Sequence, residues 1–207
     1  SFEKLKVFSE LENMEICYSE LSEEVKKLSA ERLGDVAIRK HNICGVNNYA
    51  LNEEELDKKI KLKMLGEKGQ ELFPLRRLSH EFEELRLSFE RGIKERKRNL
   101  LIQYYGDLKK VNARLMFIQN YFEILGLEIT VTRLDKETSL DMNNYCAVVY
   151  CAVDDDYEEL FSGINLPSNI PTYLAGKKYS KEKVQNLFMG QNVLALLNDF
   201  VQRELNS

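Results

Sequence analysis

The apolar positions of the N-terminal stretch fall on a strict seam. Val7, Leu11, Met14, Tyr18, Leu21, Val25 and Leu28 are separated by steps of 4, 3, 4, 3, 4 and 3. That is the a/d rhythm of a coiled coil. Glu10, Glu12, Glu20, Glu23, Glu24, Lys26 and Lys27 fill the positions between. One helix cannot bury so narrow a stripe by itself. The spacing therefore predicts a coiled-coil helix over 1–33 that pairs with another. The alternative is an amphipathic helix lying on a globular core, but such helices carry a wider stripe.

A second seam follows. Leu75, Leu78, Phe82, Leu85 and Phe89 step by 3, 4, 3 and 4. After an interruption, Leu101, Tyr104, Leu108, Val111, Leu115, Ile118, Phe122 and Leu125 step by 3, 4, 3, 4, 3, 4 and 3. Pro74 suits a first helical turn and Gly126 a helix stop. The pattern predicts a coiled-coil helix over 75–126, a rod of roughly 75 Å at about 1.5 Å per residue. The interruption carries Gly92 and the basic run Arg91, Lys94, Arg96, Lys97 and Arg98. It reads as a stutter, with the bases either on a solvated face or set against an acidic partner or phosphate. The stretch 34–74 reads as a linker. Asn52 with Glu53, Glu54 and Glu55 predicts the start of a short helix, and Gly66–Gly69 a turn. This linker reverses the chain, joints two rods, or marks a place where residues have been removed.

After Gly126 the period becomes 2. Leu127–Leu134 alternates as a half-buried strand, and Tyr145–Val153 is an apolar run suited to burial on both faces. Together they predict an antiparallel pair at least, which a third strand, a helix or a partner's sheet must cover. Asp154, Asp155 and Asp156 lack calcium-loop spacing and read as a polar strand exit capping a helix at Tyr157. A proline-bearing connector over Leu166–Pro171 leads on towards a closing helix with Val193, Leu194, Leu197, Val201 and Leu205 on one side. The predicted fold class is α+β: long coiled-coil helices followed by a small tip over 127–207. The face around Phe122, Val149, Phe188 and Phe200 is the expected partner-binding groove, with Phe200 equally readable as plain core.

Composition narrows the function. The 207 residues are 31% charged, with only 3 prolines and a net charge of -4. Charged residues are commonly about a quarter of a chain, so long solvated helices are favoured. The acidic balance, with pI near 5.5, speaks against a basic nucleic-acid coat. No apolar stretch approaches the ~20 residues of a membrane span, and Ser1–Lys6 shows no secretory pattern. A chain opening at Ser1 suggests a cut piece. Two histidines and four cysteines form neither C-x-x-C nor ligand-spaced pairs. The expectation is a reducing compartment, nucleus or cytoplasm, with no metal and no cofactor. Phosphate-binding glycine loops and nucleophile elbows do not occur, so no enzyme is expected.

A heptad rod that runs into a small α+β tip resembles the RWD-tipped coiled-coil subunits of kinetochore complexes. The residues that carry the resemblance are F-x-x-L-G-L-E-I at Phe122–Ile129, the strand Val148–Asp154, and L-N-D-F-V within Leu194–Leu205. These look like the small subunits of the outer-kinetochore microtubule-binding complex, the monopolin subunit and the checkpoint scaffold's C-terminal head. The resemblance implies dimerisation through the rod, a protein partner at the tip, membership of a larger complex in chromosome segregation, and no catalysis. The dimerisation residues would be Leu11, Met14, Tyr18, Leu21, Val25, Leu28, Leu101, Tyr104, Leu108, Val111, Leu115 and Ile118. Partner contacts would come from Phe122, Val149, Phe188, Phe200, Arg96, Lys97 and Arg98. The alternatives are a chromatin or nucleic-acid contact through the basic run, and a membrane-trafficking or autophagy coiled-coil subunit. Homo- and heterodimer are both open.

Overall fold

The structure, a computed structural model, describes residues 2–51, 77–92, 98–134 and 141–206; side chains are described from Tyr18 in the first helix and to Leu205 in the last. In chain order come α1 (Phe2–Ala37), α2 (His80–Gly92), β1 (Asn99–Tyr104), α3 (Leu108–Phe122), β2 (Glu128–Arg133), β3 (Ala147–Cys151), α4 (Tyr157–Ser162), β4 (Thr172–Ala175), β5 (Gln185–Leu187) and α5 (Val193–Asn206). The strands form one sheet in the order β2-β1-β3-β4-β5. Every pairing is parallel. This is the doubly wound order found in flavodoxin-like folds.

A parallel sheet needs a crossover between neighbouring strands and cover on both faces. From β1 the chain crosses one way to β2, and from β3 the other way to β4. Right-handed crossovers running in opposite directions place their helices on opposite faces, and α3 and α4 lie on opposite faces. Leu100, Ile102, Val149, Cys151 and Tyr173 meet α2, α3 and α5. The alternate residues Leu101, Val148, Tyr150 and Leu174 meet Tyr157, Leu160 and Phe161 of α4. β3 is buried at all five of its positions, whereas edge strand β2 alternates between exposed and half-buried.

The expected mixture of helix and sheet is present, but its arrangement corrects the sequence reading. The rod over 75–126 does not form, because Asn99–Tyr104 is the central strand β1. Leu101, Tyr104, Leu108 and Val111 keep heptad spacing while crossing a strand, a turn and a new helix. Leu100, Leu101 and Ile102 are buried on both faces, so the strand shows no alternation that would betray it. The tip boundary at 127 falls inside the sheet, since β1 pairs with β2 from Asn99↔Glu128 to Tyr104↔Arg133. The two strands expected to be antiparallel partners are separated by β1 and run parallel to it. The predicted short helix after Asn52 lies outside the described residues.

The second seam is consumed internally. Phe82, Leu85 and Phe89 of α2 are buried. Phe89 meets Phe200 of α5 at 6.0 Å between ring centroids, and Phe200 meets Phe122 at 5.9 Å. Arg86, also buried, pairs with Glu90 at 2.8 Å and donates to the Leu51 carbonyl at 3.0 Å. Gly126, with φ +70°, leaves room for this guanidinium: a Cβ there would stand 3.1 Å from Arg86 Nη2.

The C-terminal end of α1 is anchored to this unit. Val36 is fully buried in the core. The chain beyond it is folded around Asn47, whose amide donates to the Val36 and His41 carbonyls at 2.9 Å each and accepts from the Ile43 amide at 2.7 Å. Three bonds to the backbone make one buried side chain the organiser of a loop that has no hydrophobic period.

These placements separate two residues that share the predicted seam. Leu115 is buried on the sheet, whereas Leu108 is 47% exposed. Leu115→Asp is expected to cost several kcal/mol of stability, because a buried charge lacks a partner there. Leu108→Asp is expected to shift the urea midpoint little. A coiled-coil rod would instead make the two equally damaging to association.

Candidate functional site: the switch-point crevice and the exposed stripe of α1

Doubly wound sheets take ligands outside the carboxyl ends of their strands, where the order reverses. Here that point lies between β1 and β3. One lip is Tyr105–Asp107, in which Asp107 caps α3 by accepting from the Lys109 amide at 3.0 Å. The other lip is Ala152–Asp156, leading into α4. The lips touch. Gly106 has φ +89°, and a Cβ on it would lie 3.0 Å from Asp156 Oδ2. The Glu159 carboxylate of α4 raises the pKa of the Tyr105 phenol.

Next to this contact, the tops of β3 and β4 are fastened together. Arg114 of α3 donates to the Ala152 carbonyl at 2.6 Å and to the Ala175 carbonyl at 3.3 Å, and pairs with Asp154 at 2.6 Å. Burial opposes its charge, but the hydrogen bond and charge of Asp154 outweigh this and raise its pKa. Tyr157 donates to the Ala175 carbonyl at 2.5 Å and accepts from the Ala152 amide at 3.1 Å. Lys178 is the second cation on Asp154, at 3.5 Å. Asp107, Asp154, Asp155 and Asp156 thus surround the crevice, and its most deeply placed base is already paired. Such a rim repels anionic groups, unlike the glycine-rich phosphate cradles of nucleotide-binding members of this architecture. Among the described residues, no three His, Cys, Asp or Glu side chains are grouped to hold a metal ion.

The expected interaction residues fall into four sets. Tyr18, Leu21, Val25 and Leu28 lie on α1 at 38%, 49%, 38% and 50% exposure. Leu108, at 47%, is the exposed member of the second seam among the described residues. Leu11 and Met14 lie on the same helix, with side chains outside the described set. Leu101, Val111, Leu115 and Ile118 are buried inside the α/β unit, so they are not a dimer seam, and Tyr104 is half-buried at the end of β1. Their spacing reflects packing on the chain's own sheet.

The expected groove is likewise corrected. Phe122, Val149 and Phe200 are 0% exposed core residues, because α2, unplaced in the predicted tip, covers that side of the sheet with α5. Phe188 is half-buried beneath Lys177, whose ammonium stands 5.2 Å from the ring centroid. Arg96 and Lys97 lie outside the described residues. Arg98 donates to the Glu90 carbonyl at 3.1 Å, bracing the end of α2. Sequence reading missed Arg114 and Tyr157 altogether. Their bonds to the Ala152 and Ala175 carbonyls reach 18 to 61 residues along the chain, and no local pattern marks such a bond.

Arg114→Met keeps most of the side-chain bulk but removes both carbonyl bonds and the pair with Asp154. A loss of about 2–4 kcal/mol is expected, because a partly buried carboxylate and two carbonyls lose their donor; urea denaturation at neutral pH measures it. Alkaline pH should act on the whole core. Burial pushes the Cys151 thiol from 9.0 up to about 12, and the Tyr150 and Tyr173 phenols from 10.0 up to about 12. The unfolded chain loses these protons first, so stability is full below pH 9 and falls as pH rises towards 12. Melting temperature against pH, with tyrosinate absorbance recorded alongside, should show ionisation and unfolding together.

No helix among the described residues is long and apolar enough to cross a membrane. No protein-family model and no curated protein matches the chain.

Proposed function

We propose that this chain is a non-enzymatic scaffold or adaptor subunit that joins a larger assembly through α1. The observation that carries this reading is the line of Tyr18, Leu21, Val25 and Leu28, each more than a third exposed, on a helix whose buried residues, among those described, are Val36 and Ala37. Helices in water draw most of their stability from burying an amphipathic face, and an apolar stripe at a/d spacing is the form that another helix covers. The switch-point crevice supports the reading from the other side, since it is bordered by carboxylates, with Arg114 and Tyr157 bonded across its floor.

The kinetochore setting implied by the resemblance depends on a rod running straight into the tip at Phe122–Ile129. In the structure Phe122 ends a 15-residue helix inside the α/β unit. The proposal therefore names a mode of assembly rather than a particular complex, and it assigns the contact to α1 rather than to the core residues of the tip.

Native-size separation of cell extract containing the full chain tests it. The wild-type chain is expected in a particle well above its own 24.2 kDa, and Leu21→Asp/Leu28→Asp at its monomer size with an unchanged urea midpoint. A wild-type chain running at its own mass, or a double variant that stays in the particle, overturns the proposal.

A further inference from the structure

The charges beside the α1 stripe select its occupant. Continuing the seam, Tyr18 and Val25 take position a, and Leu21 and Leu28 position d. The positions that flank a coiled-coil contact are then Ser22 and Ser29 on one side and Cys17, Glu24 and Glu31 on the other. Glu24 and Glu31 are exposed. In sequence the same register places Glu3, Glu10 and Glu15 at flanking positions, and no base at any of them through residue 31. The nearby bases Lys26 and Lys27 fall on the outer surface, where Lys26 pairs with Glu23 at 2.7 Å.

A second copy of this helix offers these charges no base. In a parallel pair, Glu24 of one copy meets only the neutral Ser29 of the other. In an antiparallel pair, glutamates face glutamates. Flanking charges set partner choice in coiled coils, and like charges in that position disfavour a pair that opposite charges would support. We propose that the stripe is occupied by a helix of a different polypeptide, one with Lys or Arg flanking its own apolar seam. This rests on the reading of α1 as the assembly contact and resolves homo- against heterodimer in favour of the latter. The glutamates then act twice: they attract the partner and they reject self-association.

Two designed peptides of four heptads test this on the full chain. Both carry Val at a and Leu at d; one has Lys at every flanking position, the other Glu. By fluorescence anisotropy the Lys peptide is expected to bind about tenfold or more tightly than the Glu peptide, and the preference should shrink in high salt. Glu24→Lys/Glu31→Lys should reverse the preference, which a general attraction to an acidic protein would not do. Leu21→Asp/Leu28→Asp should abolish binding of both peptides. Equal binding of the two peptides, or a self-associated dimer that the Lys peptide cannot displace, overturns the heterologous partner while leaving α1 as a contact. No binding of either peptide and no self-association overturns both this inference and the function proposed above.

Discussion

The double burial of β1 and β3 sets the terms for the rest of the structure. These neighbouring strands carry Leu100, Leu101 and Ile102 on one and five consecutive buried residues on the other. A parallel pair of this kind cannot leave either face to water without exposing several large side chains, each worth about 1.5–3 kcal/mol on burial. It therefore requires helices on both sides. α3 and α5 supply most of one cover, α2 completes it by packing on α5, and the short α4 with its aromatic neighbours supplies the other. The two faces are unequal: Tyr157, Phe161 and Tyr179 stack on one another at 5.5–6.0 Å over the lesser face, so three rings do there what three helices do opposite.

Polar groups then fix what apolar packing leaves loose. Asn47, Arg86, Arg114 and Tyr157 each donate to backbone carbonyls. An unpaired buried carbonyl or amide costs about 1–3 kcal/mol, so each of these side chains settles a local conformation at little cost elsewhere. Asn47 holds the exit of α1, Arg86 holds the following segment to α2, and Arg114 with Tyr157 closes the strand ends. The same bonds determine what the unit can offer. The crevice that doubly wound sheets commonly leave for a ligand is bordered by carboxylates, with Arg114 and Tyr157 bonded across its floor. The exposed apolar side chains Tyr18, Leu21, Val25 and Leu28 form a stripe on α1.

Periodicity marks several elements within short windows of the chain. The alternation of Leu127–Leu134 marked the edge strand β2, the apolar run Tyr145–Val153 marked β3, and the spacing from Val193 to Leu205 marked α5. Asp154–Asp156 form the expected polar exit from β3 into α4, although Asp156 at the N-cap makes no side-chain capping bond, and Tyr18–Leu28 keep their seam on a single helix. In each case one element lies wholly within the window that carries the pattern, so local order is enough. The exposed stripe of α1 was legible for the same reason, and so were the glutamates beside it.

Tertiary structure decided the rest. Leu101 and Leu115 belong to one arithmetic seam, but one sits in a strand and the other on a helix packed over the opposite face, because a strand buried on both sides has no period to contradict a heptad. Strand direction was equally hidden. An antiparallel hairpin announces itself by a short turn, whereas parallel neighbours are joined by crossovers that leave no local mark. Whether a seam faces solvent or the chain's own sheet depends on what packs beside it. Phe82, Leu85 and Phe89 are covered by α5, whereas Tyr18, Leu21, Val25 and Leu28 remain exposed on α1. Spacing alone cannot separate those two cases, because burial is a property of the neighbours that folding brings in from more than a hundred residues away in sequence.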